Sequence, residues 1–184
     1  MKTGLQTKIL GGFIMCSLIL LMVAIVSVRN SQKFTDANEW VNHTHEVLYD
    51  LEQTMISSLD AETGARGYVI TGKAEYLTSF TTAEATLPSQ IEELTRVVSD
   101  NPSQQKNIIL LGKLSESHLA HLKKWIELRN TDATKAYELV STGESRRILN
   151  EIRELVKEAR AIEQNLMVDR KQDSENDARS FTVI

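Results

Sequence analysis

An uninterrupted apolar run near the N-terminus constrains this chain more than any other feature. Residues 9–28 read ILGGFIMCSLILLMVAIVSV and contain no charged residue. As a helix, this run would be about 30 Å long, which matches the hydrocarbon thickness of a bilayer. A cleaved signal peptide is the alternative, but its apolar region is usually shorter, and no small-residue cleavage site precedes Arg29. We therefore predict an uncleaved membrane helix over 9–28, preceded by a cytoplasmic tail at 1–8.

Basic residues on either side of the run predict its orientation. Lys2 and Lys8 favour a cytoplasmic N-terminus, whereas Arg29 and Lys33 weaken that bias. With the N-terminus inside, residues from about 30 onward lie outside the cytoplasm, on the outer side of the inner (plasma) membrane. The uncharged residues 180–184 are expected to begin a second membrane helix that is cut short, so the chain is expected to be an N-terminal fragment.

Composition excludes several classes of protein. The single cysteine, Cys16, rules out an intramolecular disulfide framework and any zinc site built on cysteines. A net charge of −4 argues against a nucleic-acid partner, because such binders usually carry a basic excess. With only 2 prolines and 5% aromatic residues, the chain favours long helices over a β-sandwich or barrel.

Apolar residues recur at steps of three and four in four separate runs, which is the pattern of amphipathic helices with a narrow apolar seam. The runs occupy 34–59, 77–98, 111–125 and 148–166. The fourth run has strict 4-3-4-3-4 spacing, as in a coiled coil. The sequence therefore predicts an all-α fold.

Glycine and proline mark where these helices should end and begin. Gly72 and Gly143 each follow a threonine at a predicted helix end, where glycine tolerates a left-handed backbone. Asn101 followed by Pro102 is typical of a helix start. Pro88 falls inside the second run and is expected to kink or break that helix.

Helix lengths then predict the topology. Helices over 34–71 and 144–178 would each exceed about 50 Å, whereas one over 74–99 would span only about 39 Å. The chain can return to the membrane only if 102–130 forms a third helix and 131–142 adds a short distal one. The expected architecture of 30–179 is thus an elongated up-down-up-down four-helix bundle.

Catalytic and metal-binding patterns are missing from the sequence. There is no Gly-rich phosphate loop, nucleophile elbow or metal-binding His-Glu motif. His43 and His45 would face different directions on a helix, and His118 and His121 could share a face but lack a third ligand. His45-Glu46 resembles the start of a kinase phosphoacceptor box, but the Pro-Leu of that box is absent. We expect no catalytic residue, cofactor or metal in these residues.

The segment 60–72, which reads DAETGARGYVITG, stands apart from the rest. Gly64 and Gly67 would lie inside a helix, at a cost of up to about 1 kcal/mol each relative to alanine. A close approach of another helix across Ala61, Gly64 and Ala65 would offset that cost. The candidate site residues are Glu62, Thr63, Gly64, Arg66, Gly67, Tyr68, Thr71 and Gly72.

Arg66 allows two interpretations. It lies four residues after Glu62, so the two could form a surface ion pair of small net value. Alternatively, Arg66 and Tyr68 could face an inter-helix cavity, where Arg66 would hold a carboxylate or lock two helices together. We favour locking over direct ligand contact.

This segment, together with a looser second match, resembles the type-three CHASE domains, the cyclase/histidine-kinase-associated sensory extracellular family. The second match consists of Asp100-Asn-Pro102, the segment 137–143 that reads YELVSTG, and the segment 148–152 that reads ILNEI. The resemblance covers about 35–180. It implies an all-helical input domain between two membrane helices, ahead of a histidine kinase, cyclase or chemoreceptor signalling region. It transfers no ligand-binding residue.

The function predicted on this basis is that of the extracytoplasmic sensory input domain of a receptor. The full-length receptor is expected to be a sensor histidine kinase. Such a chain would be a homodimer in membrane lipid, would respond to a small-molecule or protein stimulus, and would transmit small displacements of its first and fourth helices. The output domain lies outside these residues. The alternatives are a chemoreceptor ligand-binding domain and a membrane-anchored helical scaffold that senses nothing.

Overall fold

The computed structural model describes the backbone of residues 3–182 and the side-chain surroundings of residues 4, 7–29, 31, 32, 35 and 39–172. The predicted all-α fold class is confirmed, since the described residues form helices and short turns without a strand. The helices are α1 (Thr3–Thr71), α2 (Leu77–Val97), α3 (Pro102–Thr131), α4 (Ala133–Ser141) and α5 (Glu144–Thr182). Single 3-10 turns at Ala74–Tyr76 and Val98–Asp100 flank α2. Lys2 and the last two residues of the predicted second span lie outside the described residues.

The chain divides into two compact units, one formed by Met1–Asn42 with Asp169–Ile184 and the other by His43–Val168. The first unit contains a stretch, Thr7–Arg29, with a mean hydropathy of 2.8 and no part of it buried. An apolar helix of this length that buries nothing is suited to crossing a bilayer. In the same unit, the Arg170 guanidinium carbon lies 3.8 Å from the centroid of the Trp40 ring.

The sequence suggested separate helices over 9–28 and 34–71, whereas the structure has the single helix α1. Neither glycine nor proline occurs between residues 13 and 63, so nothing in this stretch ends a helix. The change from apolar to amphipathic sequence alters the environment of the helix and leaves its hydrogen bonding intact.

The predicted helix ends are confirmed. Gly72 and Gly143 have φ angles of 72° and 74°, the left-handed backbone expected of them. The Asn101 side chain accepts hydrogen bonds from the backbone N–H groups of Ser103 and Gln104 at 3.1 and 3.2 Å. Asp132 caps α4 in the same way by accepting from the Lys135 N–H.

Pro88 does not break the second helix, so the expected break was wrong. Helix α2 continues through Pro88 from Leu77 to Val97. Ala83, Leu87 and Leu94 are buried on both sides of the proline and hold the helix against the bundle. Pro88 itself is exposed, so its ring does not compete with this packing.

The His43–Val168 unit has two core clusters. The first joins α1, α2, α3 and α5, with Leu51, Leu94, Leu111 and Ile152 almost fully buried. The second joins α1, α2, α3 and α4, with Val69, Leu87, Leu122, Trp125 and Ala136 almost fully buried. Each cluster draws residues from four helices, which is the packing expected of the predicted bundle.

The last turn of α1 is held by side chains from later in the chain. The Nε of Arg129, at the end of α3, donates to the Val69 carbonyl at 2.8 Å. The hydroxyl of Tyr137, on α4, donates to the Ile70 carbonyl at 3.1 Å. Helix C-termini leave carbonyls without partners, so these contacts fix the end of α1 against α3 and α4.

Gly64 allows the chain after α1 to approach that helix closely. A Cβ atom at this position would lie 2.6 Å from the Tyr76 carbonyl oxygen and 3.1 Å from the Cβ of Ser79. Ala61 and Ala65, on the same face, are fully buried. The close approach predicted from the small residues is therefore present, and its partner is the start of α2.

Replacing Gly64 by alanine tests this contact. Helix propensity alone would stabilise the variant by up to about 1 kcal/mol. Because the new methyl group would clash with backbone, we expect instead a loss of about 1–3 kcal/mol in the free energy of unfolding. Urea unfolding of the full chain in detergent, followed by circular dichroism, measures the change. Thr63→Ala, at the exposed neighbouring position, is the control and should change stability by less than about 0.5 kcal/mol; a stabilised Gly64→Ala variant would contradict the contact.

Candidate functional site

A buried carboxylate within segment 60–72 joins three helices. Glu62, on α1, is only 5% exposed. Its Oε2 lies 3.3 Å from the Nε2 of His118 on α3 and 3.1 Å from the Oγ of Ser145 on α5. His118 and Ser145 are themselves buried, with their Nε2 and Oγ atoms 3.1 Å apart. We call Glu62, Arg66, His118 and Ser145 the Glu62 cluster.

The local sequence explains how these groups meet. Gly143 ends the turn after α4, so α5 begins at Glu144 and Ser145 lies in its first turn. The Glu62 carboxylate therefore lies beside the N-terminus of α5, where the helix dipole favours negative charge. His118 occupies a seam position of α3 and points into the bundle with no solvent exposure.

Arg66 connects the buried carboxylate to the surface. Its Nη2 forms an ion pair with the other carboxylate oxygen, Oε1 of Glu62. The guanidinium carbon also lies 6.0 Å from the centroid of the Trp125 ring on α3, within the range of a cation–π contact. The Arg66 side chain is 45% exposed, so the ion pair lies partly in solvent and is the accessible end of the cluster.

The electrostatics of the cluster favour an ionised Glu62. Burial opposes ionisation, but hydrogen bonds from His118 and Ser145 and the charge of Arg66 outweigh it, so the pKa of Glu62 is lower than its ordinary value of 4.5. Because an ionised carboxylate can only accept hydrogen bonds, the Nε2–H of His118 and the Ser145 hydroxyl both donate to Oε2 of Glu62. Both donated protons therefore lie inside the bundle.

These residue types could suggest a hydrolytic triad, but the geometry excludes one. In a triad the acid binds one imidazole nitrogen and the nucleophile binds the other. Here Glu62 and Ser145 meet the same nitrogen of His118, and its Nδ1 has no hydrogen-bond partner among the described residues. Ser145 is also 1% exposed and out of reach of a substrate.

Metal binding finds no support in the same region. Over the described residues, no group of three or more His, Cys, Asp or Glu side chains is placed to hold an ion. His121 packs edge-on against the Trp125 ring, with ring centroids 5.7 Å apart. Burial lowers the pKa of His121 below its ordinary value of 6.5.

Tyr68 lies beside the end of α3 and away from the Glu62 carboxylate. Its hydroxyl donates to the Asn130 side-chain oxygen. A groove between α2 and α3, lined by Leu87 and Leu119 among others, has neither Tyr68 nor Arg66 among its lining residues. Both of these side chains contact α3, which supports the helix-locking interpretation over ligand contact. The role of segment 60–72 stays a prediction.

The remaining candidate residues lie around the end of α1. Gly67 faces the Tyr76 ring, and a Cβ atom there would lie 2.5 Å from it. The Thr71 hydroxyl donates to the Gly67 carbonyl at 2.7 Å. Gly72 lies against the Arg129 guanidinium, and Thr63 is exposed. These positions shape the turn between α1 and α2.

The sequence indicated the pairing of Glu62 with Arg66 but not its two buried partners, His118 and Ser145. His118 was considered only as part of a histidine pair, although it lies within the third apolar run, 111–125. A titratable residue at a seam position was the available signal, because such a residue must find a buried partner. Ser145 gave no signal, since a serine one residue after Gly143-Glu144 is ordinary at a helix start.

A second buried carboxylate was also missed. Glu163, on α5, is 2% exposed. Its Oε1 accepts from the Gln104 side chain on α3 at 3.0 Å, and its Oε2 accepts from the Thr44 hydroxyl on α1 at 3.5 Å. Gln104 donates as well to the Ala159 carbonyl at 2.9 Å. Helices α1, α3 and α5 are therefore joined by buried polar contacts at two levels.

Comparisons with known proteins agree with this architecture. The family model of the CHASE3 domain matches residues 37–173. Among solved structures, the crystal structure of the sensor domain of the histidine kinase HK9 from Rhodopseudomonas palustris is similar, with a TM-score of 0.64 and 26% identity. That match covers 68% of this chain and 98% of the other. A search of curated proteins gave no significant match.

Glu62→Gln tests the electrostatics of the cluster. Near pH 7 we expect the free energy of unfolding of the variant to be about 1–3 kcal/mol lower than that of the wild type, because charge-assisted hydrogen bonds in a buried site are weakened. The depressed pKa means that this contribution is fully present above the ordinary value of 4.5 and is lost as the pH falls through the lower folded-state value. Urea unfolding from pH 7 to pH 3 should show the gap between wild type and variant closing below about pH 4.5.

Glu92→Gln, at an exposed position on α2, is the matched control and should track the wild type at every pH. A gap for Glu62→Gln that stays constant down to pH 3 would show that Glu62 gains no stability from its charge.

Proposed function

We propose, because this chain belongs to the CHASE3 domain family, that it is the sensory input region of a transmembrane histidine kinase receptor. Residues 43–168 form the helical sensory bundle, and Thr7–Arg29 is its N-terminal membrane anchor. The N-terminus is cytoplasmic and the bundle lies outside the inner membrane, in keeping with Lys2 and Lys8 at the N-terminal end of the apolar run.

The observation that carries the proposal is that one helix, α1, contains both the candidate membrane span and Glu62. A stimulus that shifts the Glu62 cluster acts directly on the helix that enters the membrane. Ser145 places α5 in the same cluster, and α5 is the helix from which the predicted second span begins. Input to the bundle can therefore reach both helices that are expected to cross the bilayer.

The mechanism follows from the two buried polar levels. Each level joins α1, α3 and α5, so a displacement of α3 is shared by α1 and α5. Packed helices shift between discrete arrangements more readily than they deform, and buried hydrogen-bonded groups favour a few such arrangements. Small piston or rotation steps of α1 against α5 are the signal that this structure supports.

The reading frame after residue 184 provides the first test. We expect it to complete an apolar span of about 20 residues and to continue into a phosphoacceptor histidine box and nucleotide-binding motifs. A long heptad hairpin without nucleotide motifs would replace the kinase with a chemoreceptor. A stop codon directly after residue 184 would remove the signalling output and contradict the proposal.

We further propose that the receptor is a homodimer that meets along α1. Four large apolar side chains on that helix are exposed within the bundle unit: Tyr49 at 63%, Ile56 at 41%, Leu59 at 45% and Ile70 at 58%. Tyr49, Ile56 and Ile70 are separated by multiples of seven residues, which places them on one stripe of the helix. A stripe of this period fits the same stripe on a second copy around a two-fold axis.

The fourth run, with its coiled-coil spacing, would be a second candidate for the dimer contact. Its seam residues Ile148, Ile152 and Ala159 are buried inside the chain's own bundle, against residues of α1, α2 and α3. We therefore favour the exposed α1 stripe for the contact with a partner.

Disulfide cross-linking measures this contact. In a Cys16→Ser background, Ile56→Cys should form a disulfide-linked dimer in isolated membranes under mild oxidation, because the two stripes would bring identical residues together. Glu154→Cys, on the exposed charged face of α5, is the control and should remain monomeric. Dimers at Glu154 and none at Ile56 would assign the interface to α5 instead.

A further inference from the structure

A groove between α2 and α3 is separate from the Glu62 cluster. It encloses about 550 Å³, and its apolar walls include Leu87, Ile91 and Leu119. This volume lies within the range of small-molecule sites. The side of the groove formed by α3 includes the short side chains of Ser115 and Ala120, so the two helices leave space between them there.

The helices separate just beyond a tight contact. A Cβ atom at Gly112 would lie 2.9 Å from the Cγ2 of Ile91, so α2 and α3 are in close contact at that point. One turn further along α3 the groove opens opposite Pro88. A side chain at residue 112 would force Ile91 to shift, so this close contact bounds the groove.

One buried polar group in the groove has no partner. The Ser115 hydroxyl is buried, with the residue 3% exposed, and makes no hydrogen bond among the described residues. An unpartnered buried polar group costs about 1–3 kcal/mol, so a molecule that could hydrogen-bond at this level would recover that free energy.

The charges at the rim favour a cation. Glu84 is paired with Lys123 across the groove at 2.9 Å, whereas Glu116 makes no ion pair or hydrogen bond among the described residues. The rim therefore carries one uncompensated negative charge beside an apolar interior. A positively charged group with an apolar body matches both features.

We propose that this groove binds a small primary amine with an apolar body, the ammonium group facing Glu116 and the apolar part lying between Leu87 and Leu119. The inference rests on the proposed sensory function and names the chemical class of its stimulus. Ser115 lies one turn before His118 on α3, so a molecule lodged against Ser115 would act on the helix that contacts Glu62.

The test measures binding to the full chain in lipid nanodiscs by isothermal titration calorimetry, with empty nanodiscs subtracted for partition into lipid. The probes are 2-phenylethylamine, its neutral analogue 2-phenylethanol, and the anion 3-phenylpropanoate. We expect the amine to bind at least about tenfold more tightly than either analogue, because only the amine can form a charge-assisted contact with Glu116. Equal affinities for the three probes, or no binding of the amine, would overturn the proposal.

Two variants locate the site, each with a matched control. Ala120→Leu fills the groove and should weaken amine binding by at least about tenfold, whereas Ala85→Leu, exposed on α2 outside the groove, should leave it unchanged. Glu116→Gln should weaken the amine by about fivefold to tenfold without affecting the alcohol, and Glu92→Gln should affect neither. Circular dichroism checks that each variant is folded.

Unchanged binding in both groove variants would place the amine elsewhere and overturn the site. The binding result does not depend on any kinase output. If the amine does not bind but a kinase is encoded after residue 184, the ligand class is rejected and the sensory function stands. If the amine binds but no kinase is encoded there, the sensory function alone is rejected.

Discussion

The structure depends on a buried carboxylate whose neighbours make its charge tolerable. A lone carboxylate inside a helical bundle would be strongly destabilising, and removal of a partner would leave an uncompensated charge. Glu62 avoids that penalty because His118, Ser145 and Arg66 surround its two oxygens. Each partner comes from a different place in the chain, so the charge is stable only when α1, α3 and the start of α5 are correctly placed.

This dependence gives the bundle a defined register in addition to a hydrophobic core. Apolar seams of Leu, Ile and Val permit several similar packings, whereas a buried charge accepts few. The contacts around Glu163 repeat the same arrangement further along α1, α3 and α5. The register of α1, α3 and α5 is therefore fixed by polar contacts at two levels of the bundle.

Sequence periodicity predicted the helices, and glycine and proline predicted most of their ends, because helix formation and termination depend on local chemistry. The break expected at Pro88 does not occur, since the buried residues on both sides of it provide packing that local rules do not include. The segment around Glu62 was identified from its unusual glycines, and Arg66 was a predicted partner, but His118 and Ser145 were not, because the pairing of Glu62 with Ser145 joins residues 83 positions apart. Such long-range polar contacts leave no periodic trace in a single sequence.

A double-mutant cycle between Glu62 and Ser145 tests the central claim, that this carboxylate couples α1 to α5. Urea unfolding free energies of the full chain, the two single variants Glu62→Gln and Ser145→Ala, and the double variant give the coupling directly. The account predicts a coupling of about 1 kcal/mol, within the range of about 0.5–3 kcal/mol for residues in one hydrogen-bonded network. Additive effects within about 0.3 kcal/mol, as expected for Glu62→Gln combined with the distant Glu154→Ala, would contradict it.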